Sequence, residues 1–342
     1  MKLASFEVQT STGSARRIGQ VIDDSLLDLT ASYAGLLAKR GITRPQDMAR
    51  LQVPPNMIEF LRVEDSLSKA REAIDFVQQR DLQTGLDDST LLYDSTDVNL
   101  LAPVSRPNSL RDFMTFEEHV KNGFASYGEE IPEGWYEYPI SYKGDPDAVI
   151  EPNEIVDWPP FTDKLDFELE LAAVIGQEGR NIPAEEASKY IAGFTIFNDF
   201  TARDIQANEQ AVGFGPTKGK DFANGLGPYL ITADEFDVSA AEMVARVNGD
   251  EWVRGTSGDM YYSFEEMIEY ISWGQTIYPG DIYGSGTIPY GCGKGLDRWI
   301  DPGDRIEFEV DGIGVLSHTI GDCTEDVSRD YKTAFDFPGL ED

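Results

Sequence analysis

Cysteine is almost missing from this chain: Cys292 and Cys323 are the only two in 342 residues. Two cysteines cannot build a disulfide scaffold or a cysteine-type zinc site, and such usage fits a reducing cytosol. Histidine is equally scarce, with His119 and His318 alone. A histidine-rich zinc site is therefore excluded, and any catalytic imidazole is one of these two. No apolar run approaches membrane-span length, and the opening Met1–Val8 lacks the apolar core of a signal peptide. Together these features predict a cytoplasmic protein. Repeats and low-complexity segments are also missing. Gly284-Ser-Gly286-Thr287 and the stretch Gly291–Gly295 resemble phosphate loops, but neither matches a Walker pattern. Both are expected to be flexible turns.

Positive charge is the other shortage. Lysine and arginine together number 28 against 62 acidic residues, for a net charge of −34. That balance argues against nucleic acid and anionic membranes as partners. The acid is spread through the chain rather than gathered in a tail. With 41% apolar and 11% aromatic residues the chain has ample material for a core, unlike a disordered acidic protein. The composition predicts a folded protein working in molar salt, where the Debye length falls to about 3 Å and self-repulsion is screened.

The length suggests one large domain or two modest ones. Residues 1–30 read as short strands at Leu3–Val8, Arg17–Ile22 and Leu26–Leu29, with a Ser11-Thr12-Gly13-Ser14 turn between the first two. Residues 31–83 look helical in pieces, ending in Ser66–Arg80. A small N-terminal α/β domain over 1–100 and a larger domain over 101–342 are expected, joined by the proline-bearing Asp94–Pro107. The second domain reads as mostly strand, at 170–175, 194–198, 226–232, 243–248, 281–285, 304–310 and 313–320. Its helices are expected from the capping box Thr115–Glu118 to about Ala125, over Ala184–Ala192 closed by Gly193, and from Ser263–Glu266 to near Gly274. Asn248-Gly249 and Asp311-Gly312 read as hairpin turns. Many strands and few helices make this a β-rich α+β fold rather than a doubly wound one.

Chemistry concentrates in Leu165-Asp-Phe-Glu168-Leu-Glu170-Leu-Ala-Ala-Val-Ile175. Read as one strand, its period of two places Asp166, Glu168 and Glu170 on one face. That face continues into Ala172 and Val174, while Phe167, Leu169, Leu171, Ala173 and Ile175 fill the other. A Glu-x-Glu pair is usually a solvated strand face. This one leads into a run apolar on both faces, which reads as buried. Buried carboxylates are costly unless paired or metal-bound. Two of them, with Asp199 from Asn198-Asp199-Phe-Thr-Ala-Arg203-Asp204, make an oxygen-only site suited to Mg²⁺, Mn²⁺ or Ca²⁺. Asp199 and Arg203 are four apart and could instead be a helical ion pair. Lys220 could be a surface charge, His119 a structural histidine, and Glu118 the capping-box acid. Taken together, a metal, a guanidinium and an ammonium supply what an oxo acid needs: chelation, carboxylate binding and relief of developing negative charge.

These residues carry a resemblance to the fumarylacetoacetate hydrolase superfamily. It runs from about 103 to 320, through Arg111-Asp112-Phe113, His119, Leu165–Glu170, Asn198–Gln206, Gly219–Phe222, Leu226–Tyr229, Pro279-Gly-Asp281, Gly284–Thr287 and Pro302-Gly-Asp304. The resemblance implies a β-roll-like catalytic domain, a homodimer, and Mg²⁺, Ca²⁺ or Mn²⁺ held by Asp112, Glu168, Glu170 and Asp199. It also implies His119 as general base, Arg203, Lys220 and Gln206 on the substrate, and Tyr142 and Thr287 as further substrate contacts. Two positions depart from the pattern: Asn122 stands where some members carry a glutamate, and Lys294-Gly295-Leu296-Asp297 where some carry an acid. Glu118 and Asp297 are the candidates left to orient the histidine. The expected reaction is hydrolysis of a carbon–carbon bond in a β-diketo acid of the acylpyruvate kind. Dehydration of a 2-keto-3-deoxy sugar acid, or decarboxylation or isomerisation of an oxo acid, are the alternatives on the same site. The segment Lys121–Trp135 is expected to act as a lid.

Overall fold

A computed structural model describes residues 1–11, 13–125 and 128–324. Thr12 of the first expected turn, residues 126–127 of the expected lid and the last 18 positions of the expected second domain lie outside them.

The alternating apolar strands assemble into two main sheets, beside two short two-stranded pairs. The larger has 12 strands. Its central order is Lys2–Thr10, Asn224–Thr232, Ile191–Asp199, Leu169–Ile175, Ile282–Gly284, Leu110–Phe113 and Ser141–Gly144. Pairing along this path is antiparallel except between Ile282–Gly284 and Leu110–Phe113. The second sheet has five strands, ordered Asp250–Thr256, Glu242–Val247, Arg305–Val310, Gly314–Ile320 and Ile155–Val156. The fold is β-rich and α+β, and the expected strands in the second half appear within a few residues of their expected bounds.

Both faces of the large sheet are covered, so its central strands are buried throughout. Leu169, Leu171, Ala173 and Ile175 pack on one side against the second sheet, with Met243, Ala245 and Phe308, and against Phe264, Met267, Ile268 and Ile271 of the helix Phe264–Ser272. The opposite face, with Leu110, Ala172, Val174, Phe197 and Ile282, meets Phe60, Ala70, Ala73 and Ile74 from the N-terminal helices Met57–Arg62 and Ser66–Gln78. The large sheet is continuous across the boundary expected near residue 100, because Lys2–Thr10 pairs with Asn224–Thr232. No helix among the described residues is long and apolar enough to cross a membrane.

Local signals fared unevenly. Ser263 and Glu266 form the expected reciprocal capping box. Asn248 and Gly249 both take positive φ, as a two-residue hairpin turn requires. The helix expected to run to Ala192 stops early: an α-turn Ala184–Ala187 passes into a short 3₁₀ segment, and Ile191 already begins a strand. Gly193 is therefore no helix cap. A Cβ there would sit 2.0 Å from the carbonyl oxygen of Ile231, so glycine is what lets the two central strands approach. The helix after Thr115 begins at Glu117, and the Thr115 hydroxyl donates to the Ser285 carbonyl at 2.6 Å.

Gly193→Ala should destabilise the fold by about 2 kcal/mol or more, because backbone must move. Gly134→Ala, where the added Cβ meets nothing within 4 Å, should stay within about 0.5 kcal/mol. Urea unfolding of both variants in molar salt checks this, and equal stabilities would contradict it.

Candidate metal centre and active site

Strand register brings three carboxylates to one end of the face covered by the N-terminal helices. Glu170 pairs with Phe197, so the two share a face, and Asp199 lies two residues on. Asp112 enters from Leu110–Phe113, opposite Gly284. A side chain at 284 would strike the Asp112 carboxylate, 2.5 Å from an ideal Cβ, so glycine there makes the room. One oxygen from each of Asp112, Glu170 and Asp199 lies within 4.8 Å of the others, and all three residues are buried. Oxygens on opposite sides of a bound Mg²⁺ or Ca²⁺ stand roughly 4–5 Å apart, so the group is of the right size.

The unpaired atoms fit a cation. Glu170 Oε1 and Asp199 Oδ1 are buried without a hydrogen-bond partner. Burial raises the Glu170 carboxyl well above the usual range, and the neighbouring Asp112 and Asp199 raise it further. Burial and the Asp199 charge push Asp112 up to about 8. Burial pushes Asp199 up to about 6, against the pull of Lys220. Three such groups cannot all ionise side by side without an opposing charge, and a divalent ion supplies it. Gly286 adds a fixed donor. Its N–H points at Asp112 Oδ1 (3.1 Å) and Glu170 Oε2 (3.0 Å), from a backbone with φ of +78° that favours glycine. The segments 284–287 and 291–295, expected to be flexible turns, are instead buried or hydrogen-bonded parts of the site.

Glu168 stands beside this group rather than in it. The expected single strand over 165–175 breaks: Leu165–Asp166 pairs with Thr201–Ala202, and Leu169–Ile175 joins the large sheet. Glu168 at the break accepts from Arg203 Nη2 at 2.8 Å and from Lys220 Nζ at 2.6 Å. Burial alone would raise its carboxyl; Lys220 and then Arg203 outweigh that and hold it well below the usual range. Each carboxylate oxygen keeps a second lone pair, so these bonds leave Glu168 able to complete a metal shell.

Lys220 is no surface charge. It is buried, bonded to Glu168 and Asp199, and those two carboxylates hold its ammonium protonated against the cost of burial. Arg203 is not the helical partner of Asp199. It opens the helix Arg203–Ala211 and is clamped between Glu168 and Asp166, with Nε 2.7 Å from Asp166 Oδ2. Asp166 also accepts from the backbone N–H of Gly293 (2.7 Å) and Lys294 (3.0 Å). Strand phase had grouped Asp166 with the glutamates. Only the break reveals that it ties Arg203 to the 291–295 turn, and nothing in the one-dimensional pattern signals that break.

The remaining expected residues gather around this core. The Tyr142 hydroxyl donates to Asp199 Oδ2 at 2.9 Å, Gln206 Oε1 accepts from Arg203 at 3.1 Å, and the Thr287 hydroxyl donates to the Leu169 carbonyl at 3.1 Å. His119 rides on the helix Glu117–Ala125 and feels the charges of Glu168, Arg203, Lys220 and Lys294. Burial pushes its imidazole down to about 4, which keeps it neutral and able to accept a proton at physiological pH. Among the described residues no carboxylate is hydrogen-bonded to it, and both candidate partners, Glu118 and Asp297, are exposed. His318 lies elsewhere, its ring 5.6 Å from that of Phe200.

Metal binding should displace protons from the raised carboxyls. Affinity for Mn²⁺ should therefore climb as pH rises through about 6 to 8, the values of Asp199 and Asp112, and go on climbing for as long as Glu170 retains its proton. Calorimetry in buffers of different ionisation enthalpy checks this through the number of protons released. Glu170→Gln should weaken Mn²⁺ binding by about 10-fold or more. A pH-independent affinity would contradict the arrangement.

Residues 109–321 match the family described as fumarylacetoacetate (FAA) hydrolase C-terminal. The chain is 30% identical over 312 residues to the oxaloacetate tautomerase YisK of Bacillus subtilis, covering 89% of this chain and 96% of that protein. It is 30% identical over 275 residues to the human mitochondrial oxaloacetate tautomerase FAHD2A, covering 78% and 80%. Among solved structures, maleylpyruvate hydrolase from Sphingobium sp. SYK-6, in complex with manganese(II) and pyruvate, superposes with a TM-score of 0.66 at 23% identity, covering 94% of this chain and 99% of that one. With more than half its length matched, the chain belongs to the fumarylacetoacetate hydrolase family.

Proposed function

We propose that the protein enolises a short dicarboxylic 2-oxo acid of the oxaloacetate class, interconverting its keto and enol forms at a divalent metal. The observation that carries this reading is His119: a neutral imidazole beside the charged site, with no carboxylate bonded to it among the described residues. Moving a proton between carbon and oxygen needs one base and no added water. Similarity to two oxaloacetate tautomerases over most of their length supports the same reading. Hydrolysis of a β-diketo acid, the reaction expected from sequence, would further require a water activated by an imidazole that an acid orients.

In this reading Asp112, Glu170 and Asp199, joined by Glu168, hold the ion. When bound, Mg²⁺ or Mn²⁺ would chelate the oxo acid and favour negative charge on its 2-oxygen. His119 takes a proton from C3. The C–H electron pair becomes the C2=C3 bond, and the carbonyl pair moves onto oxygen. Protonation of that oxygen by the imidazolium completes the enol and restores the base. Lys220 and Arg203, fixed by Glu168, place positive charge where the enolate forms. Tyr142, Gln206 and Thr287 form the substrate-facing rim. A homodimer, a cytoplasmic setting and activity in molar salt belong to the same proposal and rest on the family resemblance and the composition.

The test is proton exchange. With Mg²⁺ or Mn²⁺ in molar salt, the protein should speed deuterium uptake at C3 of oxaloacetate, followed by NMR. His119→Asn should slow it by about 10²- to 10⁴-fold. EDTA should abolish it and Mn²⁺ restore it. Full exchange by His119→Asn would remove the imidazole from the mechanism. Release of two acids from an acylpyruvate, without accelerated exchange into oxaloacetate, would establish hydrolysis instead.

A further inference from the structure

The His119 ring has no hydrogen-bonded partner among the described residues. Its place relative to the carboxylates is therefore set by the backbone of its helix, Glu117–Ala125, and by whatever fixes the start of that helix.

On the inner side that anchor is Thr115. It is fully buried two residues before the helix, and every polar group it owns is bonded. Its N–H (3.1 Å) and its hydroxyl (2.6 Å) both donate to the Ser285 carbonyl, and its own carbonyl accepts the N–H of Tyr261 at 2.8 Å. On the outer side Val120, next to His119, packs with Trp135 and Tyr262, and Trp135 Nε1 donates to the Met114 carbonyl at 2.9 Å.

The Ser285 carbonyl belongs to the same peptide unit as the Gly286 N–H. That N–H donates to Asp112 Oδ1 (3.1 Å) and Glu170 Oε2 (3.0 Å). Carbonyl and N–H of one peptide lie in a single stiff plane. The Ser285–Gly286 peptide thus holds two carboxylates of the metal site at one end and the anchor of His119 at the other. Ser285 is itself fixed, its N–H donating to the Leu171 carbonyl at 2.8 Å and its hydroxyl accepting the Leu171 N–H at 3.1 Å. Hydrogen bonds at the two ends of a peptide also polarise each other, which strengthens both.

Resting on the enolisation reading above, we propose that Thr115 is a positioning residue that sets the distance between His119 and the metal centre through the Ser285–Gly286 peptide. Proton transfer is sensitive to such a distance, since a misplacement of about 1 Å can cost about 100-fold in rate.

Thr115→Val deletes the hydroxyl at nearly constant volume, Thr115→Ala deletes it without overpacking, and Thr115→Ser keeps it. With Mn²⁺, both deletions should lower kcat for C3 deuterium exchange into oxaloacetate by about 10- to 100-fold, with KM and Mn²⁺ affinity within about 3-fold of wild type, and Thr115→Ser should recover most of the loss. A second readout needs no turnover. His119 and His318 are the only imidazoles in the chain, so NMR of labelled histidine shows two rings. Bound Mn²⁺ speeds the relaxation of the His119 ring with the inverse sixth power of their separation. Both deletions should change that rate by about 2-fold or more, and Thr115→Ser should not. The His318 ring, packed on Phe200, is the internal reference and should hold its rate. Wild-type relaxation of His119 in the deletion variants would overturn the proposal. A loss of kcat that Thr115→Ser fails to restore, or that runs in step with lost Mn²⁺ affinity, would also overturn it and mark Thr115 as structural. If the wild-type chain exchanges no deuterium into oxaloacetate, the enolisation reading falls, and the relaxation of His119 alone decides the role of Thr115.

Discussion

Mutual repulsion among Asp112, Glu170 and Asp199 is the constraint on which the rest of the site depends. Three carboxylates from three strands are buried at one point, and two of their oxygens face no protein donor. Without an opposing charge, Asp112, pushed up to about 8, and Glu170, raised well above the usual range, favour their protonated forms. An added cation would let them ionise together, so the register of the sheet assembles a group suited to a divalent ion. Neighbouring features serve that one point. Gly284 leaves room for Asp112, the Gly286 N–H fixes two of the carboxylates, and Lys220 and Glu168 lock Asp199 from the side.

The N-terminal hundred residues belong to the same problem. Their helices cover the face of the large sheet from which the carboxylates project, and Leu110, Ala172, Val174, Phe197 and Ile282 meet them there. Stripped of that cover, the strand ends bearing Asp112, Glu170 and Asp199 would lie nearer water. Their desolvation, and with it the pressure to bind a cation, would fall. Sheet continuity through Lys2–Thr10 fixes the cover to the site instead of leaving it on a hinge.

Much of this was legible in the chain. Period-two alternation placed Glu170 inward, correctly separating it from Leu169 and Leu171, because side chains on a strand have only two directions. Ser263–Glu266 announced its helix through a capping geometry that is local by nature. What stayed hidden depended on distant segments. Gly193 looked like a helix terminator, yet its role is set by Ile231, a partner strand away. The break between Asp166 and Glu168 follows from pairing with Thr201–Ala202 and from the isolated bridge of Glu168 to Cys292, which no window of residues contains. The turns at 284–287 and 291–295 looked flexible because glycine reads that way, yet their backbone N–H groups are bonded to carboxylates supplied by other strands.

The chemistry of His119 follows from what surrounds it. By the resemblance, Asn122 and the stretch Lys294–Asp297 stand where some members carry an acid, and the candidates Glu118 and Asp297 are both exposed. Burial, with Arg203 and Lys220 nearby, pushes the His119 imidazole down to about 4, against the opposing pull of Glu168. So weak a base is poorly matched to ionising a water molecule. A C–H bond beside a metal-chelated carbonyl would be far more acidic than that of an isolated ketone, and in the proposed reaction Lys220 and Arg203 would hold the enolate it leaves. A weak base then suffices in the forward direction, and its conjugate acid returns the proton readily in reverse. An enzyme that must run a keto–enol equilibrium both ways gains from that balance; one that must drive water onto a carbonyl does not.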